Sequence, residues 1–173
     1  MSRMFFALLL IALVRTTAAA ATPAHSPCDT IPEYHQLDFW IGDWDTFESD
    51  NLNGPSQALA RVDAIAQGCA IHELYEQNDG LIGDSILSYD PARKQWQQTW
   101  ITNRGSLMVI TGHFKNDALV LEGEVHLRDG STVLQRITWK GENAAVRESA
   151  VLSKDNGKTW SPAFDVVFRK RKS

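Results

Sequence analysis

The chain has 173 residues, with 17 Lys+Arg against 21 Asp+Glu, a formal net charge of −4 and a sequence pI near 5.7. That balance excludes a nucleic-acid binder working through a basic patch, and 43% hydrophobic residues exclude a disordered chain. Two cysteines are too few for a disulfide-rich miniprotein, which leaves one ordinary soluble domain.

Residues 1–21 have the layout of a secretory signal peptide: Arg3, an unbroken apolar run from Met4 to Val14, and small residues from Ala18 to Ala21. The run is far short of the ~20 residues a membrane-spanning helix needs, and no later stretch is longer. The expectation is an exported protein, periplasmic or secreted, without stable membrane insertion. Removing 21 of 173 residues, with Arg3 and Arg15 but no acid, leaves 152 residues and a net charge of −6. In an oxidising compartment Cys28 and Cys69 are expected to form one structural disulfide. Closing a loop of that size is worth roughly 4 kcal/mol in the chain-entropy picture. With no C-x-x-C motif, a redox thiol is the weaker reading.

Residues 22–42 read as an N-terminal segment in which Glu33 to Phe39 form a short helical turn; residues 43–173 read as a β-barrel domain. Turn signals recur at Asn53-Gly54, Gln67-Gly68, Asn78-Asp79-Gly80, Asp90-Pro91 and Asn103-Arg104-Gly105. They continue at Asn116-Asp117, Asp129-Gly130, Gly141-Glu142-Asn143 and Asp155-Asn156-Gly157. The segments between them alternate with period two and are rich in Val, Ile, Thr and aromatics. Met108, Ile110, Gly112 and Phe114 share one face, as do Leu119, Leu121, Val125 and Leu127. About ten sequential antiparallel strands are too many for a flat sheet with exposed edges, so the predicted fold is all-β, an up-and-down barrel.

Leu37 to Asp45, reading Leu-Asp-Phe-Trp-Ile-Gly-Asp-Trp-Asp, resembles the F-D-F-W-[IL]-G-x-W opening of an exported bacterial, lipocalin-like family of unknown function. Tyr89-Asp90 through Trp96 and the aromatic C-terminal strand Phe164 to Arg169 resemble that family's later features, so the likeness covers essentially the whole chain after residue 21. Gly42-Asp43-Trp44 also resembles the G-x-W of lipocalins and wider calycins. That resemblance implies a Trp44 that plugs one barrel end, with Arg169 of the last strand stacked over it. Ser153 to Trp160 matches the Asp-box of sialidase propellers, S-x-D-x-G-x-T-W. One copy cannot build a propeller, so Asp155, Gly157 and Trp160 read as a hairpin staple.

Motifs that would name a reaction are absent: no G-x-S-x-G, H-E-x-x-H, P-loop or dinucleotide-binding glycine pattern occurs, and no cofactor is implied. Glu122, Glu124 and His126 alternate on one strand face, opposite a Leu-rich core face, and read as a solvated outer row rather than a metal site. The histidines at 25, 35, 72, 113 and 126 raise a haem ligand of the nitrobindin kind as a minority reading, but Thr46 and Glu48 replace glycines of that family's opening.

The inner face carries the functional expectation. If Trp96 and Trp100 face inward, Gln98 does too. Alternation then places Val133, Gln135, Ile137 and Trp139 inside, with Ile71, Glu73 and Tyr75, and Val146, Glu148, Ala150 and Leu152. A one-residue slip would instead turn Arg136 and Arg147 inward and favour an anionic ligand. The candidate ligand-binding residues are Glu73, Tyr75, Trp96, Gln98, Trp100, Gln135, Trp139 and Glu148. A Trp-rich cavity with few polar groups suits a small apolar or aromatic molecule. The second reading is an isomerase or hydrolase using buried Glu73 or Glu148 as general acid or base. A third is a filled barrel with a structural or partner-binding role.

Overall fold

The structure, a computed structural model, describes residues 26–172; the expected leader over 1–21 lies outside the described residues. Ten antiparallel strands follow one another: β1 Gly42–Glu48, β2 Ala58–Ile65, β3 Ala70–Gln77, β4 Ile82–Asp90 and β5 Gln95–Thr102. They continue as β6 Leu107–Lys115, β7 Ala118–His126, β8 Thr132–Glu142, β9 Ala145–Ser153 and β10 Ser161–Lys170. Each pairs with its sequence neighbours, and β1 pairs with β10 to close the barrel, so no edge is left open. The predicted up-and-down barrel is therefore the observed one.

Each hairpin falls on one of the nine turn signals. Asn116 and Asp117 (φ 50° and 60°) and Asn143 and Ala144 (φ 45° and 65°) form two-residue loops with both central residues left-handed, the geometry that matches strand twist. Asn and Asp tolerate that region; Ala144 has no such excuse.

The segment before β1 folds as three short 3₁₀ turns, Pro27–Asp29, Pro32–His35 and Asp38–Trp40, the last two overlapping the predicted helical stretch Glu33 to Phe39. It lies across the barrel end formed by the β2–β3, β4–β5, β6–β7 and β8–β9 turns. The Cys28–Cys69 disulfide ties it to the residue preceding β3, with a Cα–Cα separation of 5.1 Å. Tyr34 donates its hydroxyl to the Tyr89 carbonyl at 3.1 Å, and Trp96 donates its indole N–H to Gln36 Oε1 at 3.0 Å. Trp40 packs against Trp139 and Phe168, with ring centroids 6.1 and 5.9 Å apart, and accepts the Trp44 indole N–H on its carbonyl at 2.8 Å. These aromatics are almost wholly buried. Each contributes about 1.5–3 kcal/mol, so this end of the barrel is a filled core, not a cavity.

The cation over Trp44 is not Arg169. Phe168 and Val166 point inward on β10, so Arg169 points outward; it stacks 5.3 Å from the Phe47 ring and donates to the Leu52 carbonyl at 2.7 Å. Lys170, in register with Trp44, puts Nζ 3.9 Å from the centre of the Trp44 ring and donates to the Ile41 carbonyl at 2.6 Å. It crosses the space that a Cβ on Gly42 would occupy, and Gly42 (φ +139°) leaves it free.

At the opposite end the Asp-box forms the β9–β10 hairpin. Asp155 accepts from the Thr159 N–H at 2.8 Å and from the Thr159 hydroxyl at 2.6 Å, while the Gly157 N–H donates to Ser153 Oγ at 2.8 Å. Trp160 donates its indole N–H to the Gly157 carbonyl at 3.1 Å and carries Arg136 over its face at 4.1 Å.

Candidate functional site

The inner rows expected from alternation are the inner rows observed. On β3, buried Ile71 and Glu73 alternate with half-buried His72 and Leu74; on β9, Val146 and Ala150 are buried, in phase with Glu148. Arg136 and Arg147 face outward, paired with Glu122 and Asp165 at 2.7 and 2.8 Å, so the register that would turn them inward is not adopted. Glu122 is thereby committed to an ion pair, and His126 bonds Thr132 at 3.0 Å, as an outer solvated row requires.

Burial changes along each inner row. Residues near the end covered by the 3₁₀ turns, such as Trp96, Trp139, Leu119 and Phe168, are fully buried. In the same rows, Glu48, Tyr75, Trp100, Gln135, Glu148 and Leu152 are half-buried although they face inward. Solvent thus reaches the inner wall from the end opposite the plug. Trp96 and Trp139 belong to the packed floor. Glu73, Tyr75, Gln98, Trp100, Gln135 and Glu148 line the barrel above it.

Trp100 lies flat against the wall because its diagonal neighbour on the adjacent strand is Gly83, two positions from its paired Ser85: the indole occupies the space a Gly83 Cβ would need. Its edge meets Tyr75, with ring centroids 6.2 Å apart. Gln98, 2% exposed, donates Nε2 to Ser85 Oγ at 2.9 Å, and its Oε1 has no partner. Ser85 is the cross-strand neighbour of Glu73 on the same face. Thr46 Oγ1, wholly buried on β1, is likewise unpartnered.

The two inner acids dominate the electrostatics. Burial pushes the Glu73 carboxyl well above the usual glutamate value, and the neighbouring Glu148 charge pushes it the same way. Glu148 is pushed up to about 8 by burial, offset in part by the Trp139 indole N–H, which lies toward it without closing a hydrogen bond of ordinary geometry. Glu148 keeps some surface exposure yet is enclosed by protein, which is what a side chain on the wall of a water-reaching lumen shows. The Tyr75 phenol is raised chiefly by burial, with smaller contributions from the Glu148, Glu73 and Glu48 charges.

Inward-facing Glu48, Ser85 and Thr46 were not among the expected site residues. Glu48 and Thr46 are in phase with Trp44, so extending the Trp44 row along β1 would have found both. The described histidines face outward: His35 bonds Asp38, His72 bonds Asp84 at 2.8 Å, and His113 bonds the Lys94 carbonyl at 3.0 Å. His25 lies outside the described residues, so no inner histidine supports the haem reading among the described residues. Two shallow grooves of about 400 and 480 Å³ flank Phe39 at the plugged end, away from the inner acids.

No protein-family model matches the chain, and no curated protein matches it at a significant level.

Proposed function

We propose that this protein is an exported, lipocalin-like binding protein that holds a small, largely apolar or aromatic molecule inside its barrel. The observation that carries the reading is the half-exposed inner wall at the unplugged end, where Tyr75 and Trp100 flank a few polar groups above an aromatic floor. A closed ten-stranded barrel is compatible with such a role. The disulfide is consistent with an extracytoplasmic location, and among the described residues no helix is long and apolar enough to cross a membrane. The likeness of Leu37 to Asp45 to the exported lipocalin-like family points the same way. The test is native mass spectrometry of protein purified without reductant from an exporting host. A retained small molecule of defined mass is the expected result. An apo mass that no apolar or aromatic compound shifts would overturn the reading.

The second reading, an enzyme with a buried carboxylate, is favoured by the enclosed position of Glu148 on the inner wall, where burial pushes its carboxyl up to about 8, the range that suits a general acid or base. Any turnover found should fall by at least roughly 10²-fold in the Glu73→Gln/Glu148→Gln double variant; unchanged turnover removes this reading.

A further inference from the structure

We infer that the molecule held in the barrel is an organic cation, a protonated amine on an apolar or aromatic frame, bound between Glu73 and Glu148. The inference rests on the carrier reading above and specifies its ligand. Its basis is a charge asymmetry between the two faces of the sheet. The ionisable groups on the inner wall are Glu48, Glu73, Glu148 and the phenol of Tyr75. The basic side chains of the strands point away from that wall. Arg61, Arg136 and Arg147 form ion pairs outside, Arg169 stacks on Phe47, and Lys170 sits at the plugged rim against Trp44.

Buried carboxyls without a cation are costly and normally acquire partners. Among the described residues, Glu73, 4% exposed, has neither a hydrogen bond nor an ion pair, and no cation lies beside Glu148. A second, independent feature asks for the same thing. Gln98 is 98% buried, and its Nε2 is spent on Ser85, the neighbour of Glu73; its Oε1 is an acceptor without a partner on the same inner face. Once the acids ionise, their four carboxylate oxygens and Gln98 Oε1 outnumber the unpartnered Trp139 indole N–H as the wall's free polar atoms. An ammonium group supplies several N–H donors and the missing positive charge together. Tyr75 and Trp100, in edge contact beside it, supply aromatic surface for the rest of the ligand and a favourable quadrupole for its charge. An anionic ligand finds no basic side chain on this wall and would hold the acids in their neutral form, and a neutral one leaves Gln98 Oε1 and the acids without a charged donor.

The experiment uses the purified, disulfide-intact protein in calorimetric titrations with 2-phenylethylamine, 2-phenylethanol and 3-phenylpropionate, and with the three indole counterparts. These differ in charge at nearly constant shape. The expected result is that the amines bind about tenfold or more tighter than the alcohols, with no binding by the carboxylates. The preference should shrink in Glu148→Gln, a near-isosteric change at a half-exposed position, while alcohol binding persists. Alcohols or carboxylates binding as tightly as the amines would overturn the cation and leave the carrier reading standing. Binding by none of the six would overturn both.

Discussion

Trp100 and Gly83 share one volume: the indole lies where a Cβ on Gly83 would have to be. The absence of a side chain on β4 thus keeps the largest half-exposed inner aromatic flat against the wall and out of the lumen. Gly83→Ala should push the ring inward, at a cost of about 1–3 kcal/mol in stability. Emission from Trp100, isolated by comparison with Trp100→Phe, should shift, and ligand affinity should fall. An unchanged spectrum would mean that the ring is not held by this contact.

The acids make stability depend on pH. The usual glutamate value is near 4.5 and folding raises Glu148 to about 8, so the native state binds the extra proton between those limits. Stability should accordingly fall as pH rises from about 4.5 to about 8, and the loss should level off above. Glu148→Gln removes the Glu148 share of that slope and leaves that of Glu73. It should melt close to the parent at pH 4.5 and be more stable at pH 8, by about 2–4 kcal/mol, in denaturant titrations at both pH values.

The hairpin staple has the opposite sign. Hydrogen bonds from Thr159 and Ser153 hold the Asp155 carboxyl down to about 2, so its contribution is present above the usual aspartate range and is lost as pH falls toward 2. Asp155→Ala should lower stability at pH 7 and flatten the acid limb of the stability profile. Loss of the barrel itself would show that the turn is a folding nucleus and not merely a cap.

Ala144 sits at φ 65° on an exposed two-residue turn. Ala144→Gly relieves the Cβ clash and completes an Asn-Gly hairpin, so it should raise stability by about 0.5–1 kcal/mol, read as a higher melting temperature. A lower one would show that the glycine costs more in the unfolded chain than it relieves here.

Disrupting Cys28–Cys69 by a paired Cys→Ser change frees a 41-residue separation and should cost roughly 4 kcal/mol, or about 10 °C in melting temperature. The Trp96 to Gln36 hydrogen bond should loosen with the plug, giving a red shift in emission. Equal melting temperatures would mean that the 3₁₀ turns are held by Tyr34, Leu37 and Trp40 alone.

The strand pattern was open to reading because period two and turn dipeptides are local properties. Glu73 and Gln98 could be placed inside from their neighbours Ile71 and Trp96 without knowing the barrel's stagger. What alternation cannot supply is which inner residues meet across the lumen. Glu73 on β3 and Glu148 on β9 are far apart in sequence and in strand order, and only closure brings their charges into range. The cation on Trp44 failed for a sharper reason. Arg169 came from family likeness, whereas inward parity on β10 is set by Val166 and Phe168, after a register shift between Pro162 and Phe164. That phase selects Lys170.

Closure through β1 and β10 also governs when this protein can exist as a folded object. The first strand waits for its partner until the tenth has been made, so until then Trp44 and Thr46 have one unpaired flank and the lumen has a missing stave. Contacts of such sequence separation form late and slowly. A chain threaded across a membrane from its N-terminus would therefore pass through unfolded, and would close its barrel only on the far side.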